Sequence, residues 1–369
     1  MAGIYIHIPF CASKCAYCDF ASFPKETGKQ EAYFACLYKE MRSRFVGLKN
    51  KKFDTVYFGG GTPSFVDPKY ILGAMRLIKE CANLSDNAEI TLEVNPGTID
   101  RNKLRIYKQA AIGRFSIGLQ SADDDILRRI GRIHTKDDFL KACDILKDYN
   151  LSADIMTGLP NQTTESVKRA IDCAIEGGVK HISVYALKAE VGTPIYTDYL
   201  NGELPGEDEV ADMYDFVVGY LKDNGFDRYE VSNFAVKGFE SRHNMNYWKR
   251  GEYIGFGVAA SSFIDGRRFT NAFTIDEYVH SILNGKYAEV SSETVEGDDA
   301  KFEFAMLALR TSYGVNLKDY KDAFGTDFVA DFAQALKSQS DYLDVTPARV
   351  KIKDEYLYVQ NSILMAFMK

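Results

Sequence analysis

Cys11, Cys15 and Cys18 stand at C-x3-C-x2-C spacing directly after the alternating stretch Gly3-Ile-Tyr-Ile-His-Ile8. Thiolates this close in sequence can share one metal centre. A structural zinc site closes with four protein ligands, yet no fourth Cys or His follows nearby, and His7 lies upstream on the strand itself. An iron-sulfur cube held by three cysteines keeps one iron open to a small chelating molecule. The plain alternative for scattered loop cysteines is burial as small apolar side chains.

Further segments carry groups suited to such a ligand. Gly59-Gly-Gly-Thr-Pro63 ends a strand-like run, and glycines let backbone amides and carbonyls approach an amino-acid moiety closely. Glu93, in Glu-Val-Asn-Pro-Gly-Thr98, is a carboxylate able to accept hydrogen bonds from ribose hydroxyls. Gln120, Arg132 and Asp154 can hold the rest of a nucleotide or a second ligand, Arg132 being matched to a carboxylate.

The elements that must position these groups follow from periodicity. Strand-like runs at 3–8, 55–58, 90–94, 114–119, 152–156 and 181–187 alternate with amphipathic segments near 30–46, 68–82, 100–111, 124–149 and 164–176. This is the pattern of a parallel sheet wrapped by helices, and six β/α units predict an incomplete (β/α)6 TIM-like barrel. Residues i and i+2 of a strand share a face. Ile4, Ile6 and Ile8 therefore turn toward the helices, leaving Tyr5, His7, Glu93, Asn95, Gln120 and Asp154 for the lumen, near the strand C-terminal ends where barrel enzymes assemble their sites.

Beyond residue 187 the pattern loosens. Glu207 to Asn224 reads as a helix and Tyr229 to Ser232 as a strand, and a separate module starts near Glu296. Its segments 300–310, 315–324 and 327–337 read as helices, followed by a strand pair around 343–353 and 356–359 and a closing apolar helix. The reading is a domain over 1–290 and a C-terminal mixed α/β, winged-helix-like domain over 291–369.

Composition narrows the function classes. A net charge of −7 without a long Lys/Arg run argues against nucleic-acid binding. No signal-peptide pattern and no membrane-length apolar stretch is present, and the remaining cysteines, Cys36, Cys81, Cys143 and Cys173, read as reduced thiols, so a cytoplasmic protein is expected.

With Pro9 and Phe10 before the first cysteine and Tyr17 before the third, the loop resembles that of the radical SAM superfamily. From Gly3 to the C-terminus the chain resembles the oxygen-independent coproporphyrinogen III dehydrogenase family and its close relatives, the HemW heme chaperones. The resemblance implies a partial barrel of radical SAM type, a [4Fe-4S] cluster on Cys11, Cys15 and Cys18, and S-adenosylmethionine (SAM) contacted by Tyr5, Tyr17, Gly60, Gly61, Thr62, Glu93, Gln120, Arg132, Asp154 and Ala186. Phe20 stands where the dehydrogenase pattern has a further cysteine, and only a short segment precedes Cys11.

His243-Asn244-Met245-Asn246-Tyr247-Trp248 is similar to the HNxxYW signature of the HemW group. The resemblance implies heme as a third cofactor, with His243, Asn244, Tyr247 and Trp248 at its site: neutral imidazole is a common axial ligand, and Tyr and Trp rings pack against a porphyrin face. The bland reading is a positioned loop in which His243 makes a hydrogen bond and Trp248, the sole tryptophan, fills the core. Ala259-Ala-Ser-Ser262 departs from the small-small-His-Ser pattern expected after Gly257, leaving His7 and His134 as further heme-side candidates. The resemblance implies hemoprotein acceptors, a homodimer and peripheral membrane association during delivery. Its alternative is radical decarboxylation of coproporphyrinogen propionates in porphyrin biosynthesis. The signature, Phe20 and the short N-terminal segment favour heme handling.

Overall fold

Residues 2–368 are described by a computed structural model. Strict apolar alternation builds its first layer: β1 (Ala2–Ile8) fully buries Ile4, Ile6 and Ile8. β2 (Lys52–Gly60), β3 (Asn83–Val94), β4 (Arg114–Gln120), β5 (Asn150–Thr157) and β6 (His181–Ala186) then pair in parallel in chain order. Parallel neighbours require crossovers. These are α1 (Gln30–Gly47), α2 (Pro68–Cys81), α3 (Arg101–Gln109), the pair α4 (Asp124–Arg129) and α5 (Lys136–Leu146), and α6 (Thr164–Glu176).

The helix starts are written in the side chains. Asp67, Asp100, Asp123, Thr135 and Thr163 each accept hydrogen bonds from the first-turn amides of α2 to α6. One of these caps corrects the sequence reading, which ran a single helical segment over 124–149. Gly131, at φ +77°, ends one helix, and a reciprocal capping box between Thr135 and Asp138 starts the next. The break carries Arg132 toward the lumen.

The sheet extends beyond the six expected strands. Its order is β12-β11-β10-β9-β1-β2-β3-β4-β5-β6-β8-β7, with β7 (Asp227–Arg228), β8 (Asn233–Ala235), β9 (Glu252–Phe256), β10 (Ser261–Ile264), β11 (Arg267–Asn271) and β12 (Glu289–Thr294). β9 runs parallel to β1, whereas β8 is antiparallel to β6. The strand expected at Tyr229–Ser232 is instead the turn between β7 and β8, because Glu230 accepts hydrogen bonds from the Ser232 amide and the Asn233 side chain and curls the chain. Helices α7 (Ile195–Leu200), α8 (Glu207–Asp223), α9 (Arg242–Trp248) and α10 (Ile275–Leu283) accompany these additions. β12 straddles residue 290, so the large sheet continues to Thr294.

The C-terminal segment has its own core, in which Tyr320, Phe328, Phe332 and Phe367 pack together. It contains α11 (Gly297–Ala308), β13 (Val315–Asn316), α12 (Leu317–Phe324), α13 (Phe328–Asp331), α14 (Ala333–Ser338), β14 (Leu343–Val345), β15 (Arg349–Ile352) and α15 (Gln360–Leu364). The strands form a sheet of order β13-β15-β14. The expected hairpin is tighter than the sequence suggested. Thr346 exchanges hydrogen bonds with Arg349 and closes the turn inside 343–352, while the expected strand at 356–359 is the end of a short 3-10 turn (354–356) and a following turn. Among the described residues no helix is long and apolar enough to cross a membrane.

Candidate cofactor site

A cavity of about 520 Å³ opens at the C-terminal ends of the parallel strands. Cys11, Cys15 and Cys18 line it together with Tyr17, Gly60, Gly61, Thr62, Glu93, Gln120, Arg132 and Asp154. Each thiol has its own polar neighbour: Thr62 Oγ1 lies 3.4 Å from Cys11 Sγ, Arg132 Nη1 3.7 Å from Cys15 Sγ, and Ser22 Oγ 3.7 Å from Cys18 Sγ. Donors placed on sulfur stabilise thiolates and tune a cluster bound to them. Among the described residues no three His, Cys, Asp or Glu side chains are already drawn together to hold a metal ion. All seven cysteines are free thiols.

The glycine loop fits against the cysteine loop backbone to backbone. Gly61 N donates to Ile8 O at 2.8 Å and Thr62 N to Phe10 O at 2.8 Å. A Cβ on Gly61 would stand 2.9 Å from both of those carbonyl oxygens and 3.0 Å from Cys11 Sγ. On Gly60, at φ +113°, it would strike the His7 ring at 2.5 Å. His7 itself is turned from the cavity, sharing hydrogen bonds with Tyr5 OH at 3.0 Å and Ala21 O at 2.8 Å. It supports the loop from below.

Glu93 accepts from Tyr57 OH at 2.9 Å and from Gly60 N at 3.1 Å. Burial and then the nearby Asp154 carboxylate push its pKa up to about 7, and these hydrogen bonds oppose the shift. The Asp154 carboxyl is raised as well, chiefly by burial, with hydrogen bonds from Ser183 and Ser116 and the charges of Arg132 and Arg114 pulling the other way. Two partly desolvated carboxylates facing one cavity call for hydrogen-bond donors from a ligand.

Arg132 spans the site. Its Nη2 donates to Gly118 O at 2.8 Å, and its buried Nε has no partner. Gln120 sits at φ +64°, where β4 and β5 shift register between Gly118 and Gln120. Such a conformation costs on the order of 1 kcal/mol for a non-glycine residue, and the bulge re-aims a side chain at the end of its strand. Arg132, Gln120 and the glycine loop line the same cavity as the three cysteines and bring positive charge and backbone polar groups to its wall.

Other expected residues lie elsewhere. Tyr5 is below the cavity, with its ring 6.2 Å from that of Tyr57, and Ala186 is exposed at the end of β6. His134 is buried, with Nε2 3.2 Å from Leu119 O. His243, Asn244, Tyr247 and Trp248 form α9 at the opposite end of the strands. His243 is 2% exposed, and its ring nitrogens contact Thr55 Oγ1 at 2.7 Å and Tyr247 OH at 2.9 Å. Burial pushes its imidazole down to about 3. Trp248 stays half-buried and outside the main apolar core. Tyr57 and Tyr185 line the cavity although motif reading passed over them. Their signal was parity: Thr55, Tyr57 and Gly59 share a face of β2 opposite Val56 and Phe58.

The Radical SAM superfamily model matches residues 5–174, and the HemN C-terminal domain model matches 295–348. The chain is 32% identical to heme chaperone HemW of Bacillus subtilis over 347 residues, covering 92% of each chain. It is 34% identical to heme chaperone HemW of Escherichia coli, covering 84% of this chain and 82% of that one. The chain belongs to the HemW family. Among solved structures, Escherichia coli coproporphyrinogen III oxidase (HemN) matches with a TM-score of 0.88 at 20% identity, covering 99% of this chain and 89% of that one. That likeness shows a shared fold, the radical SAM partial barrel with its C-terminal domain.

Proposed function

We propose that this chain binds heme and passes it to hemoprotein acceptors, on a barrel that holds a [4Fe-4S] cluster and SAM. The single observation that supports the reading best is its identity to heme chaperone HemW proteins over nearly its full length. Cys11, Cys15 and Cys18 are the proposed cluster ligands, with Thr62, Arg132 and Ser22 donating to their sulfurs. When bound, such a cluster supplies an open iron for the amino-acid end of SAM.

The chain's own groups do the rest. Gly60, Gly61 and Thr62 offer backbone and hydroxyl contacts to that amino-acid end. Glu93 accepts from ribose hydroxyls, and ionisation is favoured once donors replace its missing solvent. Arg132 takes a carboxylate with its charged fork, while Tyr17, Gln120 and Asp154 complete the enclosure. Residues 1–290 are the proposed cofactor-holding domain and 291–369 an accessory domain. A reduced compartment such as the cytoplasm suits seven free thiols.

The test pairs two assays on anaerobically reconstituted protein. Heme titration should give a saturable Soret shift near one heme per chain, and bound heme should move to an apo-hemoprotein. Incubation with coproporphyrinogen III, SAM and reductant should leave the substrate unchanged. Turnover in the second assay with no binding in the first would replace this reading with the decarboxylase one.

A further inference from the structure

The helix α9 does not line the main cavity, yet its His243 packs on the tyrosine that donates to Glu93. The His243 ring stacks on Tyr57 at 5.1 Å and 24°. Tyr57 in turn stacks on Tyr5 and donates its hydroxyl to Glu93 Oε1 at 2.9 Å. Nothing else among the described residues donates a side-chain hydrogen bond to Glu93. The direction of that hydroxyl depends on where the Tyr57 ring stands.

His243 is itself over-determined. Thr55 Oγ1 and Tyr247 OH occupy its ring nitrogens, and its backbone amide donates to Glu89 Oε1 at 3.0 Å. Gly3 makes the close approach feasible, since a Cβ there would come within 3.1 Å of the His243 ring and 3.0 Å of Thr55 Oγ1. Asn246 ties the same helix to β9, donating to Glu252 O at 2.9 Å. A residue held from this many directions is suited to hold another, and it offers no free nitrogen to a metal.

Asn244 extends the arrangement. With Ser241 it lines a small polar cavity of about 20 Å³ that also touches Tyr57, Ser116 and Asp154. Thr91 Oγ1, on the same lining, is buried and unpartnered. A space of this size with polar walls holds about one water. The cavity carries polar contact from α9 toward the second carboxylate.

We propose that His243 and Asn244 of the HNxxYW segment are positioning residues for the SAM site, acting on Glu93 through Tyr57 and on Asp154 through the small polar cavity, and that His243 is not the heme-iron ligand. This rests on the reading of the main cavity as a SAM site. The segment is the floor of the barrel. Heme then binds at another surface, and its affinity is separable from the state of α9.

The experiment measures SAM affinity, heme affinity and cluster content in the anaerobically reconstituted full-length chain. Tyr57→Phe keeps both rings and removes the Glu93 hydrogen bond, and SAM affinity should fall roughly tenfold, the size of one charge-assisted hydrogen bond. His243→Phe keeps a flat ring against Tyr57 but cannot ligate iron, whereas His243→Ala removes the stack. SAM affinity should fall further in the alanine than in the phenylalanine variant, while the heme Soret position, spin state and Kd match the parent in both.

Loss of the heme spectral signature in both His243 variants overturns the proposal and makes His243 a ligand. Parent-like SAM affinity in His243→Ala and Tyr57→Phe overturns it too. Should the histidine variants not fold, Tyr57→Phe and Thr55→Val carry the test, with the same two readouts. Failure of the parent itself to bind SAM would reject the reading of the cavity, an outcome distinct from parent binding that the variants leave unchanged.

Discussion

Glu93→Gln isolates the strain that the cavity stores. The parent carboxyl titrates near 7 in the folded chain against about 4.5 unfolded, mainly because it is desolvated. The folded state therefore holds the proton more tightly. Stability linked to this group is present below pH 4.5 and is lost as pH rises through 7. Integrating over that window gives a loss of about 3 kcal/mol by pH 8. This is a ceiling, since Glu93 borders an open cavity where solvent screens it.

Gln keeps one acceptor, for Gly60 N, turns an N–H toward the Tyr57 hydroxyl as the protonated acid turns its O–H, and never ionises. The ligand-free variant should match the parent near pH 4.5 and exceed it by up to about 3 kcal/mol at pH 8. Urea unfolding of both proteins at several pH values, read as the difference in unfolding free energy, checks this. SAM affinity at pH 8 should move the other way, falling roughly tenfold with the loss of a charged acceptor. A stability difference that does not change with pH would refute the argument, because a purely steric effect carries no proton linkage.

Three other outcomes follow from the same geometry. Gly61→Ala places a methyl 3.0 Å from Cys11 Sγ, so iron and sulfide bound per chain after reconstitution should drop well below the parent's. Arg132→Lys keeps the charge but cannot reach both Gly118 O and Cys15 Sγ, and titration should show SAM binding weakened roughly tenfold. The His134 imidazole is pushed down to about 4 by burial and by the Arg132 charge, so its contribution is present above pH 6.5 and lost as pH falls toward 4. His134→Gln removes that loss: its disadvantage in unfolding free energy should shrink by about 2 kcal/mol between pH 7 and pH 5, and a constant gap would contradict the assignment.

Local chemistry made much of the protein legible before any coordinates. Alternation of β-branched and aliphatic residues marked the six parallel strands, because a strand buries every second residue. The same parity pointed Glu93, Asn95, Gln120 and Asp154 at the lumen, and all four line the cavity. The cysteine spacing put three thiols on one short loop, and all three line the cavity.

Tertiary structure decided the rest. The break after α4 depends on a glycine at positive φ and a capping box, which periodicity alone ran through. β9 reaches β1 across most of the chain, a pairing no local pattern encodes. The motif on α9 reads alike whether its histidine faces a porphyrin or a tyrosine ring. Only packing puts His243 on Tyr57, beneath Glu93. A sequence specifies which groups are available and on which face of an element they stand; the meeting of faces distant in the chain is set by the burial of the whole core.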